Sequence, residues 1–298
     1  MEKYIAVIIP HKGLGDIIFH NSFIESIFKH HKKRIILFAN KSTKANFIYK
    51  KNKYIKRVIL IDLHRPSRLF YLSKIIQIFL KLNKFRYKKI YYTGSHKWHL
   101  IPLKILSRIN KIELNYIVNN KKLIVPFLEY FLKKINIKYH KNFNMKIIED
   151  VSKKFVNIIK NKPKPWVFLS IDTSEDQIQI PSYILIKIIN KLKNKYKTIF
   201  INTNNKNSHK LNFLNDSKII KTNSYNVIEI YYIIKRSKLY VGNESGPANI
   251  SSILNKKAII FFNNNVLIES SKLPDVERRI YFNIEKIIKK EKIILNSI

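Results

Sequence analysis

The sequence predicts two open α/β units in tandem, each a parallel sheet covered by helices. Three observations predict it. Short β-branched runs alternate with longer helical patterns along the chain, which is how strand–helix–strand crossovers read in sequence. That pattern restarts after NKPKPW at 161–166, a segment whose two prolines cannot continue a helix. Finally, 298 residues of which 46% are hydrophobic are enough to fill two cores of ordinary size.

The elements follow in order. The opening MEKYIAVIIP reads as a first strand at 4–9 rather than a signal peptide, because it carries an acidic residue and lacks a small-residue cleavage site. Further strands are expected at 34–38, 58–61 and 89–92, with helices at 17–30 and 69–82 between them. After the proline segment come a strand at 166–171, the polar turn DTSED and a helix at 181–195. Strands at 198–201, 239–241 and 258–262 complete the second unit, with helices at 227–235 and 247–254. The expected boundary divides the chain into 1–160 and 161–298. Two such units in tandem predict a cleft facing the carboxyl ends of both sheets.

Composition narrows the function. Every apolar run is interrupted by Lys, Arg or Asn, so no stretch reaches the roughly 18 residues that a membrane-spanning helix needs. A cytoplasmic protein is expected. The absence of cysteine excludes disulfides, thiolate nucleophiles and Cys-ligated zinc. Lys and Arg number 58 against 19 Asp and Glu, a net charge of +39. The abundance of Lys, Ile and Asn everywhere is what an AT-rich genome would produce. The distribution is still uneven, with a net +27 in residues 1–160 and +12 in 161–298. An anionic acceptor or peripheral contact with an anionic membrane would suit the first half. Nucleic acid is not expected as a partner, because the 12% of aromatic residues fall at core-like spacing and make no stacking platform.

Two motifs carry chemistry. HKGLGDIIF, 11–19, sits where the first strand ends and a helix begins. Lys12, Gly13 and Gly15 form a loop in which glycines let the backbone turn and approach a phosphate or acceptor group. Asp16 follows, either projecting toward a ligand or capping the helix. The second motif, LYVGNESGPANISSIL at 239–254, runs a strand through Glu244, Ser245, Gly246 and Pro247 into a helix. Pro247 suits a first helical turn, and the exposed N–H groups beside Gly246 would accept a diphosphate. Glu244 and Ser245 stand ready for sugar hydroxyls. Elsewhere, His96 and His99 have ligand-like spacing but no acidic third ligand nearby. His30 and His31 end a basic helix, where the helix dipole accounts for them. No Walker loop, Gly-x-Ser-x-Gly elbow or Asp-x-Asp metal clasp is present.

GLGDIIF followed by NSFIESIF resembles the amino-terminal Gly-Asp motif of glycosyltransferase family 9, the ADP-heptose:lipopolysaccharide heptosyltransferase family. VGNESGPANISSIL resembles that family's Asp-Ser/Thr-Gly-Pro-x-His-x-Ala-Ala donor loop, and YYTGSHKWHLIPLKILSRIN resembles the segment after its fourth strand. The resemblance implies a GT-B fold, with two Rossmann-like doubly wound domains facing a central cleft. It implies metal-independent inverting transfer from a nucleotide sugar, ADP-heptose or another, to lipopolysaccharide or another anionic glycolipid, with no cofactor. Asp16 becomes the general base, and Thr173, Ser174, Glu244, Ser245, Gly246, Pro247 and Asn249 become donor-binding residues. The first domain would bind the acceptor and the second the donor. The chain departs from the pattern at Glu244, where the family has Asp, and at Asn249, where it has His. The expected Lys-x-Trp-Pro lysine falls near Ile178 and its tryptophan at Ile180. Those losses leave a catalytically degenerate binding or scaffold protein on the same fold as the alternative.

Overall fold

The computed structural model describes residues 3–62, 71–94, 97–117, 124–141, 145, 147–171, 180–203, 216–222, 225–262, 279–283 and 286–298. The chain divides into two compact units, Met1–Ile148 and Glu149–Ile298.

The first unit is a five-stranded parallel sheet of order β3-β2-β1-β4-β5. Its strands are β1 (Tyr4–Ile9), β2 (Ile35–Asn40), β3 (Ile55–Ile61), β4 (Tyr87–Tyr92) and β5 (Glu113–Tyr116). β1 and β2 are buried nearly throughout, as strands covered on both faces must be, and so they read as unbroken apolar runs. Alternation then sends successive side chains to opposite faces. Ala6, Ile8, Ile36, Phe38 and Tyr92 meet Ile78 and Leu82 of α3 (Tyr71–Leu82) and Leu100, Leu103 and Leu106 of α4 (Leu100–Ile109). A second layer holds α1 (Leu14–His31) and α5 (Ile124–Lys134), joined by the stacked rings of Phe23 and Phe131 at 5.6 Å. A short helix, α2 (Ala45–Ile48), leads into β3.

The second unit repeats the plan with six parallel strands in the order β11-β10-β9-β6-β7-β8. These are β6 (Trp166–Ser170), β7 (Thr198–Asn202), β8 (Ile219–Lys221), β9 (Leu239–Asn243), β10 (Ala258–Phe262) and β11 (Arg279–Asn283). One face of the sheet packs Val167, Leu169, Ile201 and Val241 against Ile184, Ile188 and Leu192 of α7 (Ser182–Lys195) and Ile294 of α10 (Glu291–Ser297). Two more helices, α8 (Val227–Arg236) and α9 (Gly246–Ile253), pack against each other.

The division between units falls before the proline segment, not at 160/161. Although Pro163 and Pro165 follow the end of α6 (Lys153–Lys160), this helix belongs to the second unit. Its Phe155 ring meets Tyr225 edge-on at 5.2 Å and Tyr232 at 5.8 Å. Glu149 ties the preceding strand of chain to α8 by ion pairs with Lys235 and Arg236. NKPKPW is therefore the connection from α6 to β6 inside one unit.

In each sheet the chain reverses its direction of winding once, between β1 and β4 in the first and between β6 and β9 in the second. Loops leaving such a pair of strands diverge to opposite faces and open a crevice at their carboxyl ends, the usual ligand position in open α/β sheets.

Candidate functional site

At the first crevice, β1 runs through Pro10 to Gly13 into α1. Gly13 is extended at φ −82° and ψ 146°, a conformation open to any residue, so a tight turn is not its purpose. Its purpose is room. A Cβ there would lie 2.9 Å from Asp16 Oδ2, the oxygen that accepts the Gly13 N–H, also at 2.9 Å. Asp16 thus folds back onto the N-cap and answers one of the unpaired N–H groups of the helix start. Its Oδ1 accepts no hydrogen bond from a described residue. Burial raises the Asp16 carboxyl above its ordinary value, opposed by the nearby His11 charge and the Gly13 N–H. Gly15 is buried in the first turn of α1. Lys12 is exposed, and its carbonyl accepts the Ser42 hydroxyl at 2.9 Å.

Three further residues brace this loop. Thr93, just past β4, donates its N–H to Ile8 O at 3.2 Å and so ties the ends of the two strands together. Its carbonyl accepts from His11 Nε2 at 2.9 Å, and its hydroxyl meets His20 Nε2 at 3.0 Å. The other nitrogen of His20 lies 2.6 Å from Asp16 O. A carbonyl only accepts, so Nδ1 carries the proton and Nε2 is left as an acceptor facing the Thr93 hydroxyl, which also lies 3.3 Å from Ile8 O. His20 is fully buried, and burial followed by the His11 charge pushes its pKa down to about 3. It is a neutral strut that holds the Asp16 backbone. Neither His11, His20 nor Thr93 stands out as a site residue in the sequence. A histidine one turn after Asp16 was the available signal for His20, whereas Thr93 is distant in sequence and becomes relevant only through strand order.

At the second crevice, β9 passes Gly242 against Ser170 of β6. Gly242 has φ +156°, and a Cβ would lie 2.2 Å from Ser170 O, so glycine is required there for close approach. Asn243 then donates its Nδ2 to Ile171 O, joining the ends of β9 and β6 as Thr93 joins those of β1 and β4. Asn243 was not among the expected site residues, although a polar residue closing an apolar strand is visible in the sequence. Glu244 continues the ladder through its N–H to Phe261 O at 2.9 Å and is half-buried. Ser245 is the extended N-cap of α9, with Gly246 and Pro247 opening the helix. The Ser245 side chain does not cap the helix, and its first turn carries no acidic residue. Nearby lies the Tyr240 hydroxyl, 3.5 Å from Ser245 Oγ. Asn249 is nearly buried and turns its Nδ2 back to Ser245 O at 3.1 Å.

Thr173 and Ser174 lie outside the described residues, as do Ile178 and His96. Ile180 is buried. His99 is buried too, with Nδ1 at 2.9 Å from the Tyr92 hydroxyl, and His31 Nε2 lies 2.6 Å from the Tyr91 hydroxyl. Among the described residues no group of three or more His, Asp or Glu could hold a metal ion, and no helix is long and apolar enough to cross a membrane.

No known family profile matches the chain, and no curated protein is similar to it in sequence. Solved structures are similar. A glycosyl transferase family 9 protein from Veillonella parvula superposes with a TM-score of 0.76 at 14% identity, covering 99% of this chain and 90% of that one. The chain has the GT-B fold. The E. coli ADP-heptose lipopolysaccharide heptosyltransferase II matches with a TM-score of 0.69 at 13% identity, over 99% of both chains. A UDP-GlcNAc 2-epimerase from Methanocaldococcus jannaschii shares the GT-B fold as well, with a TM-score of 0.60 at 14% identity over 99% and 93% of the two chains. Because transferases and an epimerase share this architecture, the reading of function rests on the residues at the two crevices.

Proposed function

We propose that the chain is an inverting, metal-independent glycosyltransferase that moves a sugar from a nucleoside-diphosphate sugar to a hydroxyl of an anionic surface glycolipid. The observation that carries this reading is Asp16, held at the β1 crevice with Oδ2 fixed by Gly13 and its pKa raised by burial. A carboxylate of raised pKa is a stronger base, and Oδ1 is the oxygen left to receive a proton. In the step, Oδ1 takes the acceptor hydroxyl proton as the acceptor oxygen bonds to the anomeric carbon. The bond from that carbon to the diphosphate oxygen breaks, and the electron pair departs with the diphosphate. The first unit then serves the acceptor and the second the donor.

The leaving diphosphate is received at α9, whose uncapped N-terminus has no acidic residue in its first turn. Backbone N–H groups and the helix dipole favour an anion there. Glu244 takes a hydroxyl of the transferred sugar and Ser245 a second polar contact, while Asn249 holds the first turn in shape through Ser245 O. ADP-heptose, named for the E. coli structural relative, is the first donor to try, and lipopolysaccharide the first acceptor. The excess of positive charge in residues 1–160 supports an anionic acceptor and peripheral contact with an anionic membrane from the cytoplasmic side.

The test is nucleoside-diphosphate release from a panel of nucleotide sugars, with and without glycolipid. Acceptor-dependent release that disappears in Asp16→Asn supports transfer. Tight binding of a nucleotide sugar without release at any acceptor leaves a binding protein on this fold.

A further inference from the structure

The first unit carries a surface that its own fold does not explain. Helix α3 and helix α4 lie side by side and turn Ile78, Leu82, Leu100, Leu103 and Leu106 onto the sheet. Their opposite faces are also apolar. On α3 the exposed residues include Leu72, Ile76 and Leu80, and on α4 Ile101, Ile105 and Ile109, with Leu72 at 69% and Ile109 at 66% of full exposure. Both triplets follow i, i+4, i+8 spacing, which lines them along one stripe of each helix. On α7 in the second unit the exposed side is mixed instead, with Lys187, Asn190, Lys191 and Asn194 beside the less exposed Tyr183 and Ile186. A paired aliphatic stripe on a surface marks an interaction site.

Charge says what kind of partner. Between Asp62 and Glu113 the sequence holds twelve Lys and Arg and no Asp or Glu. Lys104 and Arg108 are exposed on α4 among its three isoleucines. Ion pairs from the two flanking acids reach Lys74 and Lys89, and among the described residues none reaches Lys84, Lys97, Lys104 or Arg108. The basic groups crowd one another, since Lys41, Lys74 and Lys84 all add to the burial that lowers the pKa of Lys81. Two copies of this face would bring like charges together, which opposes self-association. Nucleic acid would satisfy the charges but leave six aliphatic side chains without an apolar partner.

We propose that the outward faces of α3 and α4 form a monotopic docking surface for an anionic bilayer. Leu72, Ile76, Leu80, Ile101, Ile105 and Ile109 enter the acyl boundary, while Lys104 and Arg108 reach the lipid phosphates. An amphipathic surface of this kind binds in the interface plane, by apolar burial together with attraction to anionic headgroups. The inference rests on the membrane-contact part of the proposed function and assigns it a face; it is independent of the transfer chemistry.

Cosedimentation with phosphatidylcholine vesicles, and with vesicles in which a third of the lipid is phosphatidylglycerol, tests it. The native chain should partition to the anionic vesicles only, less so as salt rises. Ile76→Gln with Ile105→Gln should lower partitioning about tenfold or more. Lys104→Gln with Arg108→Gln should lower it by about fivefold per charge. Ile158→Gln, at an exposed position on α6 of the second unit, should change nothing. A melting curve accompanies each variant, and Ile76→Ala with Ile105→Ala replaces a pair that fails to fold. Native partitioning by the α3–α4 aliphatic variants overturns the proposal, as does failure of the native chain to bind anionic vesicles. A native dimer in solution that becomes a monomer in the aliphatic variant also overturns it, because a second copy would then cover the face. Diphosphate release to a water-soluble acceptor should be unchanged in these variants, so losing the membrane leaves the transfer reading standing.

Discussion

At the end of β1, helix α1 begins with its own carboxylate folded onto Gly13, whereas at the end of β9, helix α9 begins with Ser245, Gly246 and Pro247 and no acid in its first turn. Both helices start at the crevice of a parallel sheet, where a helix N-terminus attracts an anion. The first has supplied that anion from within; the second leaves the place open to a ligand. The surroundings differ in the same direction. The first crevice is braced by side chains with donors and acceptors matched, from Thr93 through His20 to the Asp16 backbone. The second is braced by close backbone approach at Gly242 and the amide of Asn243. Under the proposed function, one plan of chain would carry two tasks, proton transfer where a side chain occupies the helix start and phosphate binding where none does.

The largest expected break in this comparison comes from Asp16→Asn. Removing a general base should lower turnover by roughly 10²- to 10⁴-fold, measured as acceptor-dependent diphosphate release. Stability should hold or rise. Because the folded chain raises the Asp16 pKa, this site contributes stability that is full below the unfolded value and is lost as pH rises through the folded one. At neutral pH an uncharged amide removes that penalty, so a melting temperature equal to or above the native one is expected. A fall in melting temperature with native turnover would mean that Asp16 is only a cap.

His20 comes next, and its effect has the opposite sign in pH. Its folded pKa of about 3 lies below the ordinary 6.5, so the unfolded chain takes up a proton that the folded chain refuses. Its contribution is complete above about pH 6.5 and is lost as pH falls through 3, by on the order of 5 kcal/mol in all. Chemical denaturation at a series of pH values should give a shallower acid limb in His20→Gln. An unchanged limb would place the acid sensitivity elsewhere, with His31, pushed down to about 4 chiefly by burial, as the next group to replace.

The two glycines at the crevices separate structure from chemistry. Gly242→Ala sets a methyl group 2.2 Å from a backbone oxygen, and neither strand can move without disturbing its ladder. A loss on the order of 2–4 kcal/mol is expected in denaturation. Gly13→Ala meets only the end of the Asp16 side chain, which can rotate away. Its stability should change by about 1 kcal/mol or less, while turnover falls because the carboxylate moves. Equal stability losses at both glycines would remove this distinction between the crevices.

Much of this architecture was legible in the sequence because the central strands are buried on both faces. β1 and β10 have the expected bounds, and β2, β6, β7 and β9 differ from them by a few residues. The edges were not legible. β3 begins three residues earlier than expected because Lys56 and Arg57 lie exposed in it, and β5, β8 and β11 escaped notice as short strands at or beside the rims of their sheets. Hydrophobic runs signal a covered strand and say little about a half-covered one. The amphipathic α5 and α6 were missed for a different reason, since Pro126 lies in the first turn of α5 and α6 is only eight residues long. At the crevices, residues adjacent in sequence, Gly13 with Asp16 and Glu244 to Pro247, were visible as motifs. Partners fixed by strand order, such as Thr93 with His20, were not. The exposed aliphatic stripes on α3 and α4 followed from neither motif nor composition, because only the packed sheet decides which face of a helix is covered.

The most direct test of the division of labour is calorimetric titration of one nucleoside diphosphate into the native chain, Asp16→Asn and Gly246→Val. The side chain of valine at Gly246 should obstruct the N–H groups that open α9 and weaken binding by roughly ten- to a hundredfold, the loss of a charged hydrogen bond or two. Asp16→Asn should bind the diphosphate as the native chain does, since the base does not touch the donor phosphates. Native affinity in Gly246→Val, or a comparable loss in Asp16→Asn, would contradict the account.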